Sequence, residues 1–134
     1  MTRYYDIDEA NRAIFDVERI LLDLRDQREE LVRLRDQVVE GQAPTGTPPA
    51  ETAADTRTAR LRMQFLVDQM QAGVTQLVDC DVTLREIPTG LIDFPALANG
   101  RQIWLCWRLG EGPIEWWHEM DEGFAGRRLL ADLT

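Results

Sequence analysis

Apolar residues recur at intervals of three and four along the first third of the chain. The series consists of Ala10, Ile14, Val17, Leu21, Leu24, Leu31, Leu34 and Val38. This spacing places the apolar side chains on one stripe of a helix and leaves charged residues on the other face. Asp6, followed three residues later by Glu9, forms a capping box at the expected start. The pattern predicts one amphipathic helix from about residue 7 to about residue 40.

A second apolar stripe follows a segment rich in proline and glycine. Residues 41–50, GQAPTGTPPA, contain three prolines and two glycines and have no apolar periodicity. This composition predicts a flexible connector. Helical spacing then resumes to about residue 79, at Ala59, Met63, Leu66, Met70, Val74 and Leu77. Two helices of similar length joined by a short connector predict an antiparallel hairpin.

Period-two alternation replaces the helical spacing after the second helix. Val82, Leu84 and Ile87 alternate with polar residues, which is typical of a half-buried strand. Residues 91–94 predict another short strand, which we expect Pro95 to end. The fold class predicted for residues 1–134 is therefore a single α+β domain. It consists of a long antiparallel two-helix hairpin, about 7–40 and 51–79, followed by a small, mainly antiparallel β-sheet, about 82–119.

The strongest hairpin signal in the sheet region lies between residues 101–109 and 114–119, two runs rich in isoleucine and tryptophan. A turn at Asn99-Gly100 precedes them, and Gly110-Glu111-Gly112-Pro113 separates them. A two-residue loop at Glu111-Gly112 would pair Arg108 with Glu115, Trp107 with Trp116 and Leu105 with His118. Because side chains alternate between faces, this register places Cys106 and His118 on opposite faces of the sheet. We therefore expect no contact and no shared zinc ion between them.

The charge balance and the hydropathy of the chain limit its partners. The chain has 15 basic and 24 acidic residues and a net charge of −9, which would repel a phosphate backbone, so we expect no nucleic-acid partner. No apolar run approaches the roughly 18 residues of a membrane span, and the N-terminus has no signal-peptide pattern. We expect no membrane association and a cytoplasmic location, where Cys80 and Cys106 would be reduced thiols.

Residues 89–128 contain the least common residue types of the chain, including all four tryptophans and the one histidine. Turn residues such as Pro95 and Gly126 would hold polar side chains in place on an aromatic surface. We expect a binding pocket where the turns of the sheet converge, for a small molecule, a partner or a divalent metal. The candidate ligand-binding residues are Asp93, Trp107, Glu111, Trp117, His118, Glu119 and Arg127.

Metal ligation and cysteine chemistry have weaker sequence signals. The chain has one histidine and two cysteines and lacks the CxxC and HExxH spacings, so a structural zinc site within one chain is not expected. We expect Cys106 to be a buried small hydrophobic residue rather than a reactive thiol. The remaining candidate metal ligands are His118, Glu119 and Asp121. No pattern identifies a cofactor.

Three motifs, GLIDFPAL, LCWRLGE and WWHEMDEGFAGRR, follow the helical start YYDIDEANRAIFDVERIL. With these motifs the chain resembles a bacterial family of uncharacterised proteins, domain of unknown function 2203. The resemblance covers nearly the whole chain except residues 41–50. It implies a helical hairpin with a small sheet and brings no established activity. The matched motif positions are Gly90, Asp93, Phe94, Pro95, Cys106, Trp107, Gly110, Glu111, Trp117, His118, Gly123, Gly126 and Arg127.

Two functions remain open from these features. The first is a self-associating binding or assembly module, a homodimer whose hairpins pair while the tryptophan-rich sheet presents a site for a small ligand or a partner. The second is a small metal-dependent or acid/base, hydrolase-like enzyme that uses His118 with nearby carboxylates, namely Asp93, Glu111, Glu119 or Asp121. We favour the first on the specificity of the motifs. Self-association is expected because helices of about 45 to 50 Å are longer than a small sheet can cover.

Overall fold

The computed structural model of the protein describes residues 3–40 and 50–133. Its main elements are helices α1 (Ile7–Glu40) and α2 (Ala50–Asp79), and strands β1 (Thr83–Glu86), β2 (Leu91–Ala98), β3 (Arg101–Trp107), β4 (Trp116–His118) and β5 (Arg128–Leu129). The strands form one antiparallel sheet in the order β1-β2-β3-β4-β5. Short 3₁₀ turns follow β4 and β5, at Phe124–Gly126 and Leu130–Asp132. The predicted α+β class is confirmed.

The first helix begins at the predicted capping box. The Glu9 N–H donates to Asp6 Oδ1 at 2.7 Å, and the Asp6 N–H donates to Glu9 Oε1 at 3.5 Å. These bonds satisfy two backbone donors that the start of a helix leaves without intrahelical partners. The bond from the Glu9 N–H also lowers the pKa of the Asp6 carboxyl. A local sequence pattern therefore fixes the start of α1.

The two helices pack antiparallel, as predicted. Near the sheet, Gly73 lets α2 approach closely, because a Cβ there would lie 3.3 Å from Leu24 Cδ2. Farther out, Arg62 donates two hydrogen bonds to Glu30, at 2.8 and 3.0 Å. Ala50 already belongs to α2, and the rest of the predicted connector lies outside the described residues. Neither helix combines the length and the apolarity needed to cross a membrane.

One face of the sheet, here called the inner face, packs against the helices. It buries Ile92, Phe94, Ile103, Leu105, Trp107 and Trp117. The helices contribute Ala10, Val17, Leu21, Leu24 and Leu77. Tyr5 joins this core edge-on, with its ring centroid 5.1 Å from that of Phe94. Truncating one of these large side chains to alanine would cost about 2 to 5 kcal/mol, so the inner face supports the stability of the fold.

Strand β2 is longer than predicted, because Pro95 does not end it. The strand runs through Pro95 to Ala98, and the predicted tight turn at Asn99-Gly100 then joins it to β3. The Pro95 carbonyl accepts the Tyr5 N–H at 2.8 Å, so the backbone at Pro95 points away from β3. The proline ring therefore removes no hydrogen bond of the β2–β3 ladder. It also removes none of the β1–β2 ladder, because strand β1 begins opposite Asp93 and does not reach Pro95.

The register between β3 and β4 differs from the predicted one by one residue. His118 pairs with Trp104, Trp117 with Leu105 and Trp116 with Cys106. The predicted pairs of Arg108 with Glu115, Trp107 with Trp116 and Leu105 with His118 are therefore wrong. Because strand side chains alternate, a shift of one residue moves every side chain of β4 to the other face. The prediction that Cys106 and His118 lie on opposite faces is wrong for this reason.

Contacts of the β3–β4 connection explain the different register. The Arg108 N–H donates to Glu111 Oε1 at 2.8 Å, and the Glu111 N–H donates to the Arg108 carbonyl at 3.1 Å, which closes a turn before Gly112. The Ile114 N–H donates to Asn11 Oδ1 on α1 at 2.8 Å. These bonds divert residues 108–115 from the ladder, so the two-residue loop expected at Glu111-Gly112 does not form.

Candidate functional site

The face of the sheet opposite the helices, here called the outer face, carries polar side chains that are fully buried. Asp93 lies in the middle of β2, directly opposite Cys106 of β3. His118 is the last residue of β4 and pairs with Trp104 of β3. Its ring reaches across β3 to Asp93, which lies two strands away. The observed register is what permits this contact.

Asp93, Cys106 and His118 form a compact group, here called the outer-face cluster. Each of the three residues is only 1% exposed. One carboxylate oxygen, the thiol sulfur and one ring nitrogen all lie within 4.8 Å of one another. Buried ionisable groups are costly unless they are paired, so this arrangement needs an internal charge balance.

Hydrogen bonds indicate how protons are arranged in the cluster. His118 Nδ1 lies 2.9 Å from the Glu119 carbonyl oxygen, which can only accept, so Nδ1 carries a proton. His118 Nε2 lies 2.9 Å from Asp93 Oδ1. One proton lies between these two atoms, and Asp93 Oδ2 accepts a hydrogen bond from Arg85 Nε, so the Asp93–His118 pair is neutral overall.

Arg85 closes the cluster from strand β1. The β1–β2 register shifts between Leu84 and Glu86, so Arg85 is the extra residue of a β-bulge. Bulges redirect the side chain that they carry. Arg85 Nε donates to Asp93 Oδ2 at 2.8 Å, and its guanidinium lies 5.0 Å from the centre of the Trp104 ring. Nothing in the local sequence marks this bulge, so the role of Arg85 could not be predicted from the sequence.

The Cys106 thiol is held in its neutral form. Burial raises its pKa to about 12, and the nearby Asp93 carboxylate acts in the same direction, whereas Arg127 opposes them. A hydrogen bond with the Asp93 side chain also contributes to the raised pKa of the thiol. Both ring nitrogens of His118 are engaged, one by the Glu119 carbonyl and one by Asp93, so neither is available as the base that would turn Cys106 into a nucleophile. The expectation of an unreactive, buried Cys106 agrees with this environment.

A second buried ion pair lies beside the cluster. Arg127 Nη2 donates to Glu111 Oε2 at 2.6 Å, and the arginine side chain is only 7% exposed. The guanidinium stacks between aromatic rings, 4.7 Å from the centre of Trp116 and 4.6 Å from that of Phe124. Trp116 pairs with Cys106, which places this group on the outer face. Gly126 is needed here, because a Cβ would collide with the Glu122 side chain.

The structure divides the predicted ligand-binding residues between the two faces. Four of them, Asp93, Glu111, His118 and Arg127, lie at the outer face. Trp107 and Trp117 belong to the inner-face core.

The acidic residues after His118 are also separated. Glu119 supplies only its backbone carbonyl to His118, while its side chain pairs with Arg101 at 2.6 Å. Asp121 is exposed, outside the cluster. The described residues thus group His118 with Asp93 and Cys106 rather than with the predicted metal candidates Glu119 and Asp121.

Comparisons with known proteins agree with the resemblance seen in the motifs. The family described as "Uncharacterized conserved protein (DUF2203)" matches residues 3–130 of the 134 in the chain. Neither the curated proteins nor the solved structures gave a match. The match spans the hairpin, the sheet and the outer-face cluster, so the chain belongs to the DUF2203 family of uncharacterized conserved proteins.

Proposed function

We propose that the protein is a self-associating assembly module, in which the helical hairpin of one copy pairs with that of a second copy. The observation that carries this proposal is an apolar groove between the hairpin and the turn that follows strand β1. The groove has a volume of about 510 Å³ and is lined by Leu31, Val67, Met70, Gln71, Val74, Thr75 and Ile87. Its apolar lining residues are only half-buried, and half-buried apolar surface in an open groove favours a protein partner.

The hairpin is longer than the sheet that covers it. Helices α1 and α2 have 34 and 30 residues, which correspond to about 50 and 45 Å. The longest strand has eight residues, or about 27 Å. Helix α1 buries no residue beyond Leu24, although it is described to its end at Glu40. We call residues 25–40 and 50–67 the distal half of the hairpin; the sheet leaves it without a cover.

The groove continues the hydrophobic core past its edge. Met70, Val74 and Ile87 pack partly against the core, while Leu31 and Val67 extend the same surface outward. A second hairpin laid along this surface would complete a four-helix arrangement, a common way to cover such helices. Because a twofold interface uses the same patch on both copies, one groove is sufficient.

Charge favours a second copy as the occupant. The distal half contains seven arginines and seven carboxylates, so it has no net charge, whereas the whole chain carries −9. Two copies repel each other least when their neutral halves meet. A strongly basic partner would instead be drawn to the acidic remainder of the chain.

The alternative acid/base enzyme gains no support from the geometry of His118. Both of its ring nitrogens are engaged, one by the Glu119 carbonyl and one by Asp93. The residue is also only 1% exposed, so a substrate could not reach the ring without opening of the cluster. A general base needs a nitrogen within reach of the substrate proton.

The proposal is tested by light scattering coupled to size-exclusion chromatography at tens of micromolar protein. We expect the wild type to have twice the mass of the 15.4 kDa chain, and Val67→Glu to be monomeric, because the charge would be buried in the groove. The matched control is Phe65→Glu. Phe65 is 48% exposed but lies about 200° around the helix from Val67, so this variant should remain dimeric. A monomeric wild type, or loss of the dimer in Phe65→Glu alone, would contradict the proposal.

A further inference from the structure

We propose that Asp93, Cys106 and His118 bind one divalent transition-metal ion, for which Zn²⁺ is the representative. The ion would be coordinated by the thiolate sulfur, by Nε2 of the imidazole and by a carboxylate oxygen. All three ligands belong to the sheet of a single chain. The site is therefore independent of the proposed self-association.

The donor atoms are close to the spacing that such an ion requires. Zinc bonds of about 2.0 to 2.3 Å in a tetrahedron place neighbouring ligand atoms about 3.3 to 3.6 Å apart. The three donors already lie within 4.8 Å of one another, and His118 Nε2 lies 2.9 Å from Asp93 Oδ1. Ligation thus needs the histidine and the carboxylate to separate slightly and the sulfur to approach. Side-chain rotations provide shifts of this size without any change in strand register.

Hydrogen bonds outside the ligand set already orient two of the ligands. The His118 Nδ1–H donates to the Glu119 carbonyl, which turns Nε2 toward the cluster. Metal-bound histidines commonly donate their second ring N–H to a carbonyl in this way. Arg85 holds Asp93 Oδ2 at 2.8 Å and leaves Oδ1 directed at the cluster. The hydrogen bonds that usually orient the ligands of a metal ion are therefore already present in the fold.

Exchange of protons for the ion preserves the charge of the buried cluster. Without metal, the Asp93–His118 pair holds one proton between Oδ1 and Nε2 and is neutral overall, and the Cys106 thiol is neutral, so the sum is zero. On binding, Cys106 loses its thiol proton and the Asp93–His118 pair loses the proton between Oδ1 and Nε2, and both protons pass to solvent. A thiolate, a carboxylate, a neutral imidazole and a dication again sum to zero. A monovalent ion would not balance this exchange, and Mg²⁺ or Ca²⁺ would not favour the sulfur ligand.

The experiment uses Co²⁺ as a spectroscopic substitute for Zn²⁺ in the full chain. Because the cluster is buried, the protein is unfolded under reducing conditions and refolded with excess Co²⁺. We expect a near-ultraviolet charge-transfer band from thiolate to Co²⁺, and loss of that band when Zn²⁺ is added. The key variant is Cys80→Ser, which removes the exposed thiol and leaves Cys106 as the only sulfur ligand besides methionine. This variant should keep the full band.

Two further results complete the test. Cys106→Ser should lose the band and bind Zn²⁺ more than about 100-fold more weakly, since loss of a ligand costs more than loss of a supporting contact. Calorimetry in two buffers should show release of about two protons per ion by Cys80→Ser. If refolded Cys80→Ser shows no charge-transfer band, the proposal is overturned, and that result does not depend on whether Cys106→Ser folds.

Discussion

The helical hairpin is unusual for a protein surface, and the outer face of the sheet is unusual for a protein interior. The distal half of the hairpin leaves apolar side chains such as Val67 beside an open groove. The outer face instead buries Asp93, His118 and most of Arg127. Most proteins avoid both arrangements, because exposed apolar patches promote association and buried charges lose their hydration.

The two regions differ in what can offset the unfavourable free energy of each arrangement. Apolar surface is covered by contact with another apolar surface, and this is why we propose a second chain on the hairpin. Buried charges are relieved by opposite charges and by hydrogen bonds, which the outer face supplies internally through Arg85, Glu111 and the Glu119 carbonyl. In the proposed assembly the hairpin is completed by a second copy, whereas the polar groups of the outer-face cluster find their partners within one chain.

The largest effect on stability should come from breaking the cluster. Asp93→Ala leaves His118 and Arg85 without their shared partner, so we expect the free energy of unfolding to fall by about 3 to 5 kcal/mol. Urea denaturation measures this change. The control is Glu30→Ala, which removes the exposed ion pair with Arg62 on the hairpin and should change the free energy of unfolding far less, because solvent screens an exposed pair. Similar losses in both variants would remove the distinction between the two regions.

A smaller effect should appear in alkaline solution, because burial raises the pKa of Cys106 from the ordinary 9.0 to about 12. Above pH 9 the unfolded thiol loses a proton that the folded thiol keeps. The free energy of unfolding of the metal-free protein should then fall as the pH rises, by at most about 1.4 kcal/mol per pH unit for this group. Tyr5, whose pKa burial also raises, acts in the same direction.

Comparison of Cys106→Ala with the wild type isolates the contribution of the thiol. Between about pH 8 and about pH 10, the free energy of unfolding measured by urea denaturation should fall less in Cys106→Ala than in the wild type. Of the two groups whose pKa burial raises, only Tyr5 remains in the variant. An equal loss in both proteins would show that the Cys106 thiol ionises as readily in the folded chain as in the unfolded one.

Local patterns were sufficient to predict the hairpin but not the outer-face cluster. The start of α1 depends on Asp6 and Glu9, three residues apart, and the turn at Asn99-Gly100 depends on two adjacent residues that adopt positive φ. Such features need no distant partner. The extent of both helices follows from apolar spacing, for the same reason.

The cluster depends instead on contacts between distant parts of the chain. Asn11 on α1 binds the Ile114 N–H and helps to set the β3–β4 register, and Tyr5 binds Pro95 so that β2 continues. Alternation shows which residues share a face within a strand, but not which residue of the next strand lies opposite. An error of one residue therefore separated Cys106 from His118 in the prediction, although Asp93 and His118 were both identified as candidates.

Hydrogen exchange followed by mass spectrometry at high and low protein concentration compares the two regions in a single measurement. If the hairpin is the interface, dilution below the dissociation constant should speed exchange in peptides around Leu31 and Val67. Exchange in β2, β3 and β4 should stay the same, because one chain completes the sheet and its cluster. Exchange in the hairpin that is independent of concentration, or a concentration dependence confined to the sheet, would contradict the account.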